Sequence, residues 1–400
     1  LIASTRQHCH KAPMASNSKN VAVLGSTGSV GENTLQVIAN SQGELRAVAL
    51  SAHTRLERLI EQAIEFEPEW VIATSPEHAA KQDWQRLPDY CELLIGQEEA
   101  ERAVRRREID VVIAAIVGAA GLRSTWAAVE AGKTIALANK ETLVMAGPLV
   151  IALARQTGAT ILPVDSEHSA VFQALQAGQR TEVERVILTA SGGPFRGQSP
   201  EKLHKVTVED ALAHPTWDMG PKITIDSATM MNKALEVVEA RWLFDLQPRQ
   251  IEVVIHPQSI VHSLVEFIDG SVIAQMSPPD MKLPIQYALS WPQRTLRCGR
   301  KLTFTEAFKL EFEPVDPKLF PAVQLGMEAA RTGGTSGVVL NAANEAAVTG
   351  FLEHRIKFND IVPACRSVID QHTFEETPSL DRLLTLDRWA REEVSRWICT

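Results

Sequence analysis

Runs that are apolar after at most one polar residue, at 21–24, 46–50, 70–73, 110–116, 134–138 and 161–164, alternate with helical spacing at 33–39, 57–66, 98–107, 124–131 and 142–154. A strand that is apolar at every position is buried on both faces, and the intervening helices are what bury it. The pattern predicts an α/β fold with a doubly wound parallel sheet over 21–164. Past that point the rhythm changes. Runs at 186–189, 252–255, 263–267 and 272–276 read as strands, and Asp269-Gly270 is a hairpin turn between the last two. A smaller α+β unit with its own sheet is expected over 165–290, followed by a connector over 291–316 with scattered Arg and Lys. Short-looped helical patterns at 322–331, 336–351, 360–371 and 380–397 predict a C-terminal helical bundle over 317–400.

Four hundred residues exceed one ordinary core, in keeping with several units. A net charge of −9 argues against a nucleic-acid or anionic-membrane partner, which would select a basic face. A small anionic substrate is still compatible, because local Lys, His and backbone donors oppose the global charge. The longest apolar runs, 111–122 and 143–154, are too short to cross a bilayer. Cys9, Cys91, Cys298, Cys365 and Cys399 are scattered without a CxxC pair, the usage of a reducing compartment with neither a disulfide frame nor a zinc site. A cytoplasmic location is expected, with a plastid-type organelle as second choice. Residues 1–20 are basic and polar and lack the apolar stretch of a secretory signal. They are expected to be a disordered leader, with Met14 as the natural start and His8–Cys9–His10 as part of it; an organelle-targeting remnant is the alternative.

Candidate chemistry collects where strands end. The run 21–24 enters Gly25-Ser-Thr-Gly28-Ser-Val-Gly31 and then a helix, the context in which glycines let the backbone approach a pyrophosphate at a helix N-terminus. The next strand ends in His53-Thr54-Arg55 with no acid before Glu57, so Arg55 is placed to pair a 2′-phosphate, which favours NADP over NAD. Asn139, Lys140 and Glu141 follow another strand and are candidate ligand contacts. Asp165-Ser166-Glu167 leaves the last strand; residues two apart on an extended segment share a face, so these carboxylates can chelate one cation. The same pattern also serves as a helix cap. Ala190-Ser191-Gly192-Gly193-Pro194 is a donor-rich turn suited to phosphate. Between His214 and Glu239, Pro215 and Pro221 bracket an exposed loop, and a helix is expected from about Ser227. Asn232, Lys233 and Glu236 share one side of that helix, after Ser227 and Thr229, where they can hold a phosphate and a metal ion together. His256 and His262 read as hydrogen-bonded core or interface residues.

These stretches occur as GSTGSVG near the start, ANKE at 138–141, LPVDSEHSA at 162–170 and TASGGPFR at 189–196. HPTWDMGPKITIDSATMMNKALEVVEA at 214–240, IHPQSIVHS at 255–263 and GGTSGVVLNAANEAAV at 333–348 complete the set. In that order the set resembles the 1-deoxy-D-xylulose 5-phosphate reductoisomerase family over nearly the whole chain after residue 20. The resemblance implies NADPH- and divalent-metal-dependent rearrangement and reduction of 1-deoxy-D-xylulose 5-phosphate to 2-C-methyl-D-erythritol 4-phosphate, by a homodimer. By matching position, Asp165, Glu167 and Glu236 would be metal ligands. Ser191, Ser227, Asn232 and Lys233 would hold the substrate phosphate with His214 nearby, while Ser166 and Lys140 would meet substrate hydroxyls. Thr27, Gly28, Ser29, Val30, Asn139, Glu141 and Gly220 would contact NADPH, and the loop at 211–221 would close, with Trp217 over substrate and Met219 on the nicotinamide. The family's second strand ends in a Gly-x-Asn-like segment, which His53-Thr54-Arg55 replaces here.

The residue chemistry agrees with this reading. Breaking and remaking a carbon–carbon bond beside a carbonyl needs stabilisation of an enediolate-like oxyanion, which a cation held by carboxylates provides. All-oxygen ligation favours Mg²⁺ or Mn²⁺ over zinc. Two other readings are a different NADP-dependent sugar-phosphate or semialdehyde dehydrogenase, which needs no triple carboxylate, and a catalytically dead NADPH-sensing regulator.

Overall fold

Side chains along a strand point alternately to opposite faces, so a sheet with two cores must divide each central strand between them. The computed structural model, which describes residues 18–217 and 219–399, does this. Strands β1 (Lys19–Leu24), β2 (Leu45–Ala52), β3 (Trp70–Ala73), β4 (Glu92–Ile95), β5 (Val111–Ala114), β6 (Thr134–Leu137) and β7 (Thr160–Pro163) form a parallel sheet in the order β4-β3-β2-β1-β5-β6-β7. Val21, Val23, Val111 and Ile113 pack on one face under helices Ser29–Ala39, Leu56–Phe66 and Lys282–Ser290. Ala22, Leu24, Val112 and Ala114 pack on the other, under helices Gln97–Ala103, Leu122–Glu130 and Glu141–Thr157. Chain order reverses between β1 and β5, so the carboxyl ends of these two strands open the crevice where such folds bind ligand.

The second sheet contains β8 (Val183–Ala190), β9 (Ile251–Ile255), β10 (Val261–Phe267), β11 (Val272–Met276) and β12 (Glu313–Pro314) in the order β11-β10-β8-β9-β12. β8 and β9 run parallel; the other pairings are antiparallel. Helices Pro321–Thr332, Ser336–Leu352, Ile361–Gln371 and Leu380–Ile398 make the C-terminal bundle. It joins the second unit through one continuous core that also reaches helix Glu141–Thr157. A Cβ on Gly337 would lie 2.1 Å from Val144 O, so the bundle and that helix touch backbone to backbone.

Three local expectations change. β4 and helix Pro76–Lys81 had no counterpart in the sequence reading, because the apolar run of β4 is only three residues long and the six-residue helix is largely exposed. Pro221 does not close a loop: it is the first residue of helix Pro221–Ala228, a position where the missing N–H costs nothing. A corner at Met230, with φ of +62°, then separates that helix from Met231–Leu243. Asp165 and Glu167 are likewise not on one extended segment, since Asp165 caps helix Ser166–Ala174 and Glu167 lies in its first turn. The expected leader, with His8–Cys9–His10 and Met14, falls outside the described residues as far as residue 17. Among the described residues no helix is long and apolar enough to cross a membrane.

Candidate active site

Four strand exits and one helix corner converge on a single cavity between the two sheets. Twelve of the residues that line it are Lys140, Asp165, Ser166, Glu167, Ser191, His214, Trp217, Met219, Ser227, Asn232, Lys233 and Glu236. All twelve are sequence candidates, and the fold brings them together from segments up to about a hundred residues apart.

At its floor Asp165, Glu167 and Glu236 present carboxylate oxygens within 4.8 Å of one another. Lys140 Nζ bonds Asp165 Oδ2 at 2.6 Å, Asn232 Oδ1 at 2.9 Å and Glu236 Oε1 at 2.9 Å. Lys233 Nζ bonds Glu167 Oε1 at 2.9 Å and, more closely, Glu236 Oε2. Asn232 Nδ2 donates to Glu236 Oε1 at 2.5 Å, as the four-residue helical spacing predicts. Burial disfavours charge on Lys140, yet Asp165, Glu236 and Glu239 together outweigh it and hold its pKa well above the lysine range. Burial also raises Glu236, reinforced by the like charges of Asp165 and Glu167 and only partly offset by the two lysines. Asp165 stays well below the usual range: burial opposes this, but Lys140 and His168 prevail.

Beneath the floor lies a support the sequence reading passed over. His168 Nδ1 sits 3.1 Å from Asp165 Oδ1 and 3.2 Å from Glu239 Oε2, while its Nε2 lies 3.0 Å from Glu236 O. Burial acts against protonation of His168, but Glu239 and Asp165 raise its pKa to about 9. Burial lifts Glu239 to about 7. The signal was present in Asp165-Ser-Glu-His168 and in Glu239 at three residues past Glu236, but a lone buried His or Glu has many structural explanations.

The three carboxylates outnumber the two ammonium groups, so the cavity floor retains negative charge. Its donors are oxygens, and oxygens bound to one octahedral Mg²⁺ stand roughly 3 to 4.2 Å apart, so groups within 4.8 Å of one another need little movement to share an ion. A hard divalent cation fits this set better than zinc, which prefers His and Cys.

The other wall carries a His–Ser–Ser cluster suited to an anion. The backbone N–H groups of Thr216 and Trp217 donate to His214 Nδ1 at 3.2 and 3.0 Å. The ring proton therefore sits on Nε2, which lies 3.2 Å from Ser191 Oγ and 3.1 Å from Ser227 Oγ. Burial lowers the pKa of His214, which keeps the ring neutral and this tautomer in place. Ser191 Oγ also accepts from Gly193 N at 3.2 Å, so its own hydrogen is directed to a further acceptor, as a phosphate oxygen would be. Trp217 stands edge-on to His262, with ring centroids 6.4 Å apart. His262 also bonds Ser277 and lines the cavity, a position that its reading as a core residue did not include.

Of the cofactor candidates, Met219 lines this cavity, and the others lie outside its lining. Gly25 has φ of +81°, and a Cβ on Gly31 would lie 2.3 Å from Gly25 O, so the turn and the helix after it close tightly enough only with glycine. Thr27 is buried, and Gly28, Ser29 and Val30 start the helix. Arg55 is exposed at the end of β2. Asn139 uses its side chain internally, donating to Ile116 O and Gly118 O and accepting from Thr142 N, so it braces the crevice loops. Glu141 pairs with Lys222 at 3.2 Å. Gly220 is the cap of helix Pro221–Ala228 with open space about it.

Fold and site together define an α/β enzyme of dinucleotide-binding architecture with a carboxylate-floored cavity in its second unit. Family models described as 1-deoxy-D-xylulose 5-phosphate reductoisomerase and its C-terminal domains match residues 21–147, 161–244 and 276–393. The chain belongs to the 1-deoxy-D-xylulose 5-phosphate reductoisomerase family. It is 52% identical to the enzyme of that name from Heliobacterium modesticaldum, over 93% of this chain and 96% of the relative. It is 48% identical to the one from Rhodopirellula baltica, over 93% of each. A crystal structure of DOX-P reductoisomerase in complex with NADPH, fosmidomycin and magnesium superposes with a TM-score of 0.90 at 42% identity, covering 95% of this chain and 98% of the other. The Zymomonas mobilis enzyme in complex with NADPH gives 0.88 at 40% identity, covering 96% and 99%.

Proposed function

We propose that this chain converts 1-deoxy-D-xylulose 5-phosphate to 2-C-methyl-D-erythritol 4-phosphate with NADPH and a divalent cation, a step of non-mevalonate isoprenoid biosynthesis. The observation that carries the reading is one cavity in which a three-carboxylate floor faces a His–Ser–Ser anion seat, beside a dinucleotide crevice. When bound, the cation supplies Lewis-acid stabilisation of developing oxyanion charge and NADPH supplies the hydride.

The chain's own residues do the rest. Asp165, Glu167 and Glu236 hold the cation, which is Mg²⁺ or Mn²⁺. Ser191, Ser227, Asn232 and Lys233 bind the phosphate end, with His214 orienting the two serines. Lys140 and Ser166 meet the hydroxyls next to the bond that breaks; Lys140, as a protonated ammonium, stabilises negative charge there. Thr27, Gly28, Ser29, Val30, Arg55, Asn139, Glu141, Met219 and Gly220 form the NADPH face. Closure of 211–221, with Trp217 over the substrate, excludes water and retains the aldehyde until it is reduced. The working division is 21–164 for NADPH, 165–290 for catalysis, 291–316 as connector and 317–400 as helical support, within a homodimer. Cys91, Cys298, Cys365 and Cys399 as free thiols support a cytoplasmic location.

The test is NADPH oxidation by the purified chain. It is expected only with the deoxyketose phosphate and a divalent ion, and to stop on EDTA treatment. Equal rates without metal, or NADP⁺ reduction with a sugar phosphate or semialdehyde and none of the expected reaction, would overturn the reading. Sedimentation of the same sample reads the homodimer.

A further inference from the structure

Helix Pro221–Ala228 presents two different sides. Ile223 and Ser227, four apart, line the cavity, where Ser227 meets His214. Lys222 and Asp226, also four apart, face other units. Lys222 Nζ lies 3.2 Å from Glu141 Oε1 and 2.8 Å from Asp226 Oδ2, and Asp226 Oδ1 accepts from Asn344 Nδ2 at 2.8 Å. Glu141 opens helix Glu141–Thr157 directly after Lys140, while Asn344 belongs to helix Ser336–Leu352 of the bundle. Asp226 and Asn344 are 1% and 0% exposed. One ammonium, two carboxylates and an amide thus fasten the end of the 213–220 segment to the base of the Lys140 helix and to the C-terminal bundle.

Such a network is a poor source of stability. Desolvating its charges offsets most of their attraction, and apolar residues of the same shape are often as stable. Asn344 Oδ1 is, moreover, buried without a partner. What the network does supply is placement. Ser227 rides on the same two turns of helix as Lys222, and Lys140 is the neighbour of Glu141, so the bridge sets the spacing between the anion seat and the ammonium at the carboxylate floor.

We propose that Lys222 is a positioning residue for the phosphorylated substrate: by bridging Glu141 and Asp226 it fixes Ser227 and the trailing end of the 213–220 segment relative to Lys140. This rests on the reading of Ser191, Ser227 and His214 as the phosphate seat. Lys222→Met removes the ammonium and keeps the aliphatic stem. It is expected to raise KM for the deoxyketose phosphate, and to weaken inorganic phosphate measured by calorimetry, by about ten- to hundredfold, with a smaller loss in kcat. Lys222→Arg should recover most of both. A merely structural role would lower Tm without separating KM from kcat. Unchanged KM and phosphate affinity in Lys222→Met would overturn the bridge and leave the seat standing. Absence of phosphate binding in the wild type would overturn the seat first and the bridge with it. Should Lys222→Met not fold, Asp226→Asn keeps the side chain's shape and removes one charge. A rise in KM in that variant supports the bridge, and wild-type KM overturns it.

Discussion

Glu236 is fully buried, yet two lysines and an amide donate to its carboxylate, and burial still raises its pKa. So many donors around one sealed carboxylate suit a group that exchanges its partners for a cation. Glu236→Gln keeps the volume and loses the charge. Turnover is expected to fall at least about a thousandfold, while the Kd for NADPH, read by fluorescence titration, changes little; comparable turnover would remove Glu236 from the metal set. Lys233 pairs with Glu167 and Glu236, and these carboxylates raise its pKa over the opposing effect of burial. Lys233→Ala should mainly raise KM for the phosphorylated substrate, because its charge serves ground-state binding as well. The same variant leaves Glu167 without its ammonium and Glu236 with Lys140 alone, so added Mg²⁺ should raise its Tm more than that of the wild type. An unchanged KM would refute the phosphate role. At this scale most of the cavity was legible: Asp165 and Glu167 follow a strand exit, and Lys233 and Glu236 share one side of a helix, placements that gather charge. His168, Glu239 and Lys222 were not, because the contacts that give them a role, His168 with Glu239 and Lys222 with Glu141, join segments distant in sequence.

The glycine turn shows what an element can reveal. In Gly25-Ser-Thr-Gly28-Ser-Val-Gly31 the positive φ of Gly25 and the close approach at Gly31 follow from strand, turn and helix packed within seven residues. A methyl at Gly31 would meet the Gly25 and Ser26 backbone at 2.3 to 2.5 Å, atoms that cannot swing aside. Gly31→Ala is therefore expected to cost about 2 kcal/mol of stability in denaturant unfolding. It should weaken NADPH binding at least about tenfold, since the displaced helix start is the proposed pyrophosphate contact, and leave phosphate binding at the Ser191–Ser227 seat unchanged. Equal loss of both would mean a global defect rather than a local one. The corner at Met230 was illegible for the opposite reason. Methionine has no preference for left-handed backbone, and the run from Pro221 to Glu239 reads as one loop and one helix until Thr229 and Met230 are seen to break it. The turn at Gly193, where a Cβ would meet Ser227 O at 2.8 Å, packs against that corner and brings Ser191 to Ser227.

Across the whole molecule, the succession of an α/β unit, a second sheet and a helical bundle could be read from periodicity, because each is built from local patterns. Which elements meet could not. The parallel pairing of β8 with β9 and the return of helix Lys282–Ser290 to the first sheet are long-range choices that leave no periodic trace. His262 belongs to both scales. It sits on β10, buried at the wall of the cavity, and burial lowers its pKa from 6.5 to about 4. The unfolded chain takes up this proton as pH falls through 6.5, whereas the folded chain resists until about 4. Above pH 6.5 both states hold the ring neutral and the folded state is not penalised. Between those values the unfolded state binds more protons, so stability falls with pH, by about 2 kcal/mol at pH 5 from this one group. His262→Gln should be less stable than the wild type at neutral pH, through its lost bond with Ser277, yet should lose less on going to pH 5. Urea midpoints of both proteins at pH 7.5 and 5.0 measure the difference. Parallel losses would show that the acid sensitivity lies elsewhere, in carboxylates such as Asp165 that the folded state keeps ionised.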